Sequence, residues 1–353
     1  MPAPPHLSPL RLAINGYGRI GRCVLRALYE SKHSGRGPAP FQIVAINEPA
    51  PLPALAHLTR FDSTHGAFAG TVSHDDRHLI VNGQPIAVWH EREPQAVPWP
   101  QVDILLECSG QYATRTELEA FLYAGCQRVL LSNPGRSAAD VDATLVCGVN
   151  HRSLHQQARL VSAASCTTNA IVPVLDSLQR HMGIEHVFLT TLHSAMNDQP
   201  LLDGYHNTDL HYTRSAMQSF VPVPTGLAKG VERLLPGLQG RVLAKAIRVP
   251  TMNVSAIDAM LHVRKAITQT QVNHLMQELA RLHPDWFGYT ECAQASVDFN
   301  HCPLSMVFDA SQTRVNGARL LNLLVWFDNE WGFANRLLDV AGYWTETRRS
   351  PVP

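Results

Sequence analysis

Residues 11–48 read RLAINGYGRIGRCVLRALYESKHSGRGPAPFQIVAINE, and this stretch decides the architecture. Residues 11–15 form a short apolar run of strand character, Gly16-Tyr17-Gly18-Arg19-Ile20-Gly21 follows at once, and a helix is expected through Glu30. A second strand-like run, residues 41–47, ends at Glu48. A strand, glycine-rich turn, helix, strand and acid in this order make a dinucleotide-binding unit. Gly16 allows the tight turn, Gly18 lets the backbone approach a pyrophosphate, and Gly21 lets the helix close on the strand. The phosphates then meet unpaired amides at the helix start. Glu48 lies further from the last glycine than the usual spacing of about 20 residues. The polar, turn-rich residues 31–40 account for the difference as a longer loop. A carboxylate here can hold two ribose hydroxyls and would repel a 2′-phosphate, so NAD is expected rather than NADP.

The pattern continues downstream. Residues 79–81 and 85–88 flank Asn82-Gly83, a hairpin signal. Residues 102–108 (VDILLEC) read as a buried strand ending at Ser109-Gly110, small enough for adenine or ribose to approach. Residues 116–124 read as a helix, and 128–132 (RVLLS) as a strand that brings Ser132 to a carboxyl end. Alternating strands and helices predict a parallel sheet with its ligand along the carboxyl ends of the strands.

Composition limits the partners. A chain of 353 residues accommodates two domains with separate cores. Its 29 Lys plus Arg balance 29 Asp plus Glu, so no global field draws it to nucleic acid or an anionic membrane. No apolar run is long enough to span a bilayer. The start, MPAPPHLSPL, lacks the regions of a signal peptide and reads as a flexible arm, as does RRSPVP at the other end. Seven cysteines without a CxxC pair argue for a reducing, cytoplasmic setting, with Cys108 and Cys147 as core residues. His151/His155 and His206/His211 lack cysteine or acidic partners at ligand spacing, so no metal is expected.

The reactive groups lie in the second half. Residues 161–172, VSAASCTTNAIV, place Cys166 at the start of an expected helix, with Ser165 as N-cap and Pro173 early enough to be tolerated. A thiol at a helix N-terminus feels the positive end of the peptide dipoles, which favours thiolate. Residues 186–191 (HVFLTT) form a strand with His193 just beyond it, able to pair with a thiol as thiolate and imidazolium. Residues 194–222 form a long polar segment of a kind that is usually functional or interface-forming. Pro224-Thr225-Gly226 opens a helix over 227–235, and a strand over 243–249 carries Arg248. Thr225, Gly226, Arg214 and Arg248 are anion-binding ingredients. Strands over 253–262, 305–309 and 323–325, and helices over 269–282 and from 331 through Tyr343, complete the chain. The expected class is α/β, a Rossmann-type dinucleotide-binding domain plus an α+β catalytic domain with a mixed or antiparallel sheet.

NGYGRIGR, SCTTN, TTLHS, PTGLAKG, RVPTMNVS and WFDNEWGF occur in this order over residues 11–343. In these motifs the chain resembles the glyceraldehyde-3-phosphate dehydrogenase superfamily. The resemblance implies that Cys166 is a nucleophile and His193 the base that activates it. It implies that Arg19, Ile20, Arg92 and Asn329 contact NAD, with Glu48 in place of the usual aspartate. Ser165, Thr167, Arg214, Thr225, Gly226 and Arg248 match its substrate and anion positions. It also implies an arm over 1–10 and an NAD-binding domain over 11–165 completed by a helix over 330–346. A catalytic domain over 166–329 would contain an inter-subunit loop at 194–222, followed by a tail over 347–353. A homotetramer is implied as well.

AINE, HSAMNDQ, FDSTHG and DASQTRVNGARLLNLLVWFDNEWGFANR resemble the branch that oxidises D-erythrose 4-phosphate, which in bacteria feeds pyridoxal 5′-phosphate synthesis. Met196 stands where the glycolytic enzymes carry a hydroxyl, and methionine cannot donate to a phosphate. Ala163 and Ala170 likewise replace an asparagine and a cysteine of the usual motif. Two other readings are a phosphorylating glyceraldehyde-3-phosphate dehydrogenase and a redox-silent NAD-binding protein that acts through partners.

Overall fold

Strand Leu10–Asn15 pairs in parallel with Phe41–Asn47 on one side and Ile104–Glu107 on the other. The computed structural model describes residues 9–30, 41–93, 96–206 and 209–346. The expected loop over 31–40, the tail and most of the N-terminal arm lie outside the described residues. Leu10, expected in the arm, is already strand because it pairs with Phe41. By backbone proximity the chain divides into two units.

The first unit holds the described residues up to Leu145, then Asn150–Ala164, then the chain from Ala334. Its sheet has nine strands among the described residues, in the order Ala143–Thr144, Leu160–Ser162, Val129–Leu131, Ile104–Glu107, Leu10–Asn15, Phe41–Asn47, Gln84–Trp89, His78–Val81, Val72–His74. The first seven run parallel, and the last two are added antiparallel by the hairpin at Asn82-Gly83. From Leu10–Asn15 the chain passes to one neighbour first and to the other only later. The carboxyl ends at Asn15 and Glu107 therefore flank the switch point where open α/β sheets bind ligands. Leu118, Phe121, Val129, Leu131 and Trp99 fill one core of this unit.

The glycines hold the geometry the turn demands. Gly16 has φ +85°, and a β-carbon there would collide with the backbone of Ser109. A β-carbon at Gly21 would strike the Gly16 carbonyl and come within 3.2 Å of Ile14 Cγ2, so helix Arg19–Glu30 lies against its own strand.

The second unit, Val146–Val149 and Ser165–Phe333, is built on a mixed sheet. Its main path runs Val221–Val223, Val242–Arg248, Ile184–His193, Ser255–Val263, Leu320–Phe327, Met306–Asp309, Phe287–Thr290. Among the described residues only two pairs are parallel, Ile184–His193 with Val242–Arg248 and Phe287–Thr290 with Met306–Asp309. Helix Cys166–Met182 is buried on nearly all sides, with Ile171, Val174, Leu175 and Leu178 in the core beside Leu189, Ile257, Leu261 and Leu323. That burial carries the helix through Pro173, which stands well inside it rather than near its start. The missing amide costs a hydrogen bond, and the packing on both flanks of the proline offsets it.

Gly21→Ala is expected to push helix Arg19–Glu30 off its strand. It should cost about 1–3 kcal/mol of stability, as overpacking does, and weaken NAD binding at the same turn. Urea unfolding and an NAD fluorescence titration check both effects. Parent-like values in both would contradict this packing.

Candidate active site

In the first unit the glycine turn and the acid meet. The Tyr17 amide donates to Glu48 Oε2 at 2.8 Å, and the Ala50 amide to Oε1 at 3.3 Å. A β-carbon at Gly18 would meet nothing within 4 Å, so the backbone there is open to a ligand. Beside it lies a cavity of about 110 Å³ lined by Tyr17, Gly18, Arg22, Glu48 and Leu55 among others. Ile20 lies in the first turn of the helix, and the Arg19 guanidinium pairs with Asp62 at 2.5 Å. Arg92 is exposed, and its carbonyl accepts from the Tyr112 hydroxyl at 2.8 Å. Gly110 has φ +72°, and the Ser132 amide donates to the Glu107 carbonyl at the next strand end.

Sequence reasoning passed over the buried polar chain beneath this cradle. Glu107 accepts from Asn15 Nδ2 at 2.6 Å, from the Ser109 amide at 2.8 Å and from the Ser109 hydroxyl. Asn47 Nδ2 donates to Asn15 Oδ1 at 2.8 Å, extending the chain across three carboxyl ends. Burial pushes the Glu107 carboxyl up to about 7 against these donors. A glutamate directly after the apolar residues 104–106 of the VDILLEC run was the available signal. A dinucleotide fits this arrangement: an open backbone at Gly18, a carboxylate beside the turn, and polar groups locking the strand ends.

In the second unit the reactive groups converge. Ser165 caps its helix by accepting from the Thr168 amide at 3.1 Å, and its hydroxyl lies 3.0 Å from Thr167 Oγ1 and 2.7 Å from Thr168 Oγ1. Cys166 is the first helical residue, and its Sγ lies 3.9 Å from His193 Nε2. His193 is the last residue of its strand rather than one beyond it, in register with Arg248 on the neighbouring strand. Arg248 Nη1 lies 2.7 Å from His193 Nδ1, and Nη2 lies 3.4 Å from Asp198. Nδ1 also lies 2.9 Å from the Ser194 carbonyl.

Ser194 links this group to Asn329. Its hydroxyl and that of Ser255 both donate to Asn329 Oδ1, at 3.0 and 2.9 Å, which leaves the amide nitrogen of Asn329 as a donor. Sequence reasoning did not single out Ser194, Ser255 or Asp198, because their roles arise from pairing across strands. Val254, with φ +64°, holds Ser255 in place at the cost of backbone strain, a feature that concentrates at functional sites.

One expectation is corrected. The thiol does not sit low: burial pushes Cys166 up to about 11, against the Thr167 amide and the Arg248 charge. Burial and then Arg248 lower His193 to about 4. In this arrangement the pair is neutral thiol and neutral imidazole, because desolvation outweighs the field of the helix amides. Arg214 pairs with Asp203 at 3.2 Å on an exposed loop. Thr225 accepts from the Leu227 amide at 3.2 Å, and Gly226 precedes helix Leu227–Leu234. A β-carbon at Gly230 would lie 3.1 Å from Thr168 Oγ1, so the first turns of the two helices abut.

Two family models match the chain. The NAD binding domain of glyceraldehyde 3-phosphate dehydrogenase matches residues 10–115, and the C-terminal domain of the same enzyme matches residues 165–329. Together they span well over half of the sequence. Among the described residues, no helix is long and apolar enough to cross a membrane.

His193 carries a pH signature. Its folded pKa lies below its unfolded value, so its contribution to stability is complete above about pH 6.5 and is lost as pH falls towards about 4. A shift from 6.5 to about 4 amounts to roughly 3 kcal/mol. His193→Asn should lose that much less stability over this window in phosphate-free buffer, measured by urea unfolding. Identical acid profiles for variant and parent would contradict the assignment.

Proposed function

The chain belongs to the glyceraldehyde-3-phosphate dehydrogenase superfamily and is an NAD-dependent oxidoreductase acting on aldehydes, and on that footing we propose that it oxidises D-erythrose 4-phosphate to 4-phosphoerythronate. Met196 carries this choice of substrate. It stands exposed three residues after His193, where a hydroxyl would serve the phosphate of a triose. A thioether cannot donate there, so the phosphate end of the substrate must be held differently. A substrate one carbon longer meets that need. The product would feed pyridoxal 5′-phosphate synthesis in the cytoplasm.

The chemistry follows from the residues beside Cys166. His193 Nε2 takes the thiol proton, and Sγ attacks the aldehyde carbon to form a hemithioacetal. His193 gives that proton to the new hemithioacetal oxygen, takes it back as the hydride leaves the carbon and the carbonyl re-forms, and then releases it to solvent. NAD would supply the hydride acceptor; Gly16, Gly18, Gly21 and Glu48 would hold its diphosphate and ribose, and Asn329 would offer its amide nitrogen. The thioester left on Cys166 is attacked by water, whose proton passes to His193. Carbon–sulfur cleavage then returns the thiol and releases the acid.

A second reading has its own support. Of the two abutting helices, one starts with the hydroxyls of Ser165 and Thr167, 3.0 Å apart, and the other follows Thr225, ingredients for inorganic phosphate as the thioester acceptor. The product would then be an acyl phosphate, as in the glycolytic enzyme.

We also propose a homotetramer. Phe188 is in register with Leu243 and Met260, and all three lie exposed on the open face of the second sheet. Such an apolar row is typical of surfaces covered by another subunit. Phe188→Glu should lower the oligomeric mass seen by light scattering, and an unchanged mass would rule out this face.

Initial rates of NADH formation on D-erythrose 4-phosphate and glyceraldehyde 3-phosphate, with and without phosphate, decide the substrate. A preference for the tetrose with no phosphate requirement is expected, whereas preference for the triose and dependence on phosphate would establish the second reading. Cys166→Ser should cut turnover by at least about a thousandfold, with NAD still bound. Comparable turnover would remove Cys166 from the reaction.

A further inference from the structure

The groups around the buried Glu107 carboxyl decide where a proton on it can go. Oε2 accepts from Asn15 Nδ2 at 2.6 Å. That amide cannot turn over, because Asn15 Oδ1 accepts from Asn47 Nδ2 at 2.8 Å. Asn47 is fixed in turn by the backbone of Glu91, donating to its carbonyl at 2.9 Å and accepting from its amide at 3.0 Å. Oε2 therefore faces a donor and is closed to a hydrogen of its own. Oε1 accepts from the Ser109 amide at 2.8 Å, again only a donor, and from the Ser109 hydroxyl, which can act either way. A proton on Glu107 thus belongs on Oε1, directed at Ser109 Oγ. That oxygen already accepts from the Gln111 amide at 3.1 Å, which leaves it one lone pair and its hydrogen. Accepting from Glu107 fills the lone pair and turns the Ser109 hydrogen outward.

We propose that Glu107 is a positioning residue whose protonation reverses its hydrogen bond with Ser109 and frees the Ser109 hydroxyl to donate to an oxygen of the dinucleotide, so that NAD binding takes up a proton. This rests on NAD lying along the Gly16–Gly18 turn. Ser109 stands against that turn, since a β-carbon on Gly16 would strike its backbone. The proton comes from solvent and returns there when the cofactor leaves. Without it, Ser109 stays turned inward, and a buried negative charge works against the diphosphate.

The surroundings favour this change of state. Glu107 is 0% exposed, and among the described residues no ion pair reaches it. Its donors are neutral, with the Gly110 amide added to those above, and burial against them places the carboxyl at about 7. The strands on either side bring Asn15 and Leu131 to its level, and neither titrates. Cys108 and Tyr112 feel its charge, Tyr112 that of Glu93 and Glu117 as well, and burial above all keeps both protonated. Glu107 is the group of this network left to take up the proton. Because the bound form prefers it protonated, affinity for NAD falls as pH rises through the value of the free protein.

Titration calorimetry of NAD into the cofactor-free protein at about pH 7.5, in PIPES and in Tris, tests this through the heat of buffer ionisation. Uptake of about half a proton per site is expected, the value for a carboxyl at about 7 moved up by about one unit. The Kd for NAD should rise about tenfold between about pH 6 and about pH 9, corresponding to that unit. Glu107→Gln cannot take up the proton, and Ser109→Ala removes its acceptor, so both should show equal heats in the two buffers. The infrared difference spectrum of the unaltered protein needs no variant, and NAD should raise the band of a protonated carboxyl group. Equal heats in the parent, proton release in place of uptake, uptake that survives either substitution, or no carboxyl band would each overturn the proposal. Binding without uptake overturns the coupling alone, whereas a parent that fails to bind NAD overturns the reading of the glycine turn and the proposal with it.

Discussion

The approach of Cys166 to His193 is the constraint around which the second unit is arranged. One group begins a helix and the other ends a strand, so neither position can shift without moving a whole element. Leu175 and Leu178 of the helix pack with Leu189 of the strand in one core, and that packing fixes the sulfur 3.9 Å from the imidazole. The Ser165 cap ends the helix one residue before the thiol and leaves no freedom at that end. Precision at the reacting atoms therefore comes from apolar contacts some distance from them, as close-packed interiors allow.

The polar surroundings of this contact work against its ionisation. Partial burial of the thiol and near-complete burial of the imidazole favour the neutral form of each, and Arg248 adds to the bias on the imidazole. The cofactor half shows a related tension. Glu107, held up at about 7 by burial, sits among donors that would suit a carboxylate, and these lock Asn15 and Asn47 at the strand ends from which the glycine turn springs.

What could be read in the sequence was whatever depends on neighbours along the chain. Gly16 and Gly21 announce their roles because a positive φ and a close helix approach are demands that other residues cannot meet. Helix Gln269–Leu282 was legible to both ends because Thr268 and Gln271 form a capping box around an amphipathic repeat. Helix Leu52–Arg60, by contrast, follows Pro51 with no side-chain cap and gave no start signal. Strand Phe287–Thr290 is four residues long and owes its existence to a parallel partner in a distant segment. The nucleophile and base were visible as residues, but their protonation was not. Desolvation is a property of the assembled core, and it reverses the sign expected from the helix start alone.

The central claim is that oxidation proceeds through an acyl group carried on Cys166. Rapid quenching in acid after mixing with NAD and D-erythrose 4-phosphate, followed by mass measurement of the peptides, tests it most directly. The account predicts a phosphoerythronyl group on the peptide containing Cys166, present only when NAD is supplied and lost under alkaline conditions that cleave thioesters. NADH formation with no adduct on that peptide, or with the adduct on another cysteine, would contradict it.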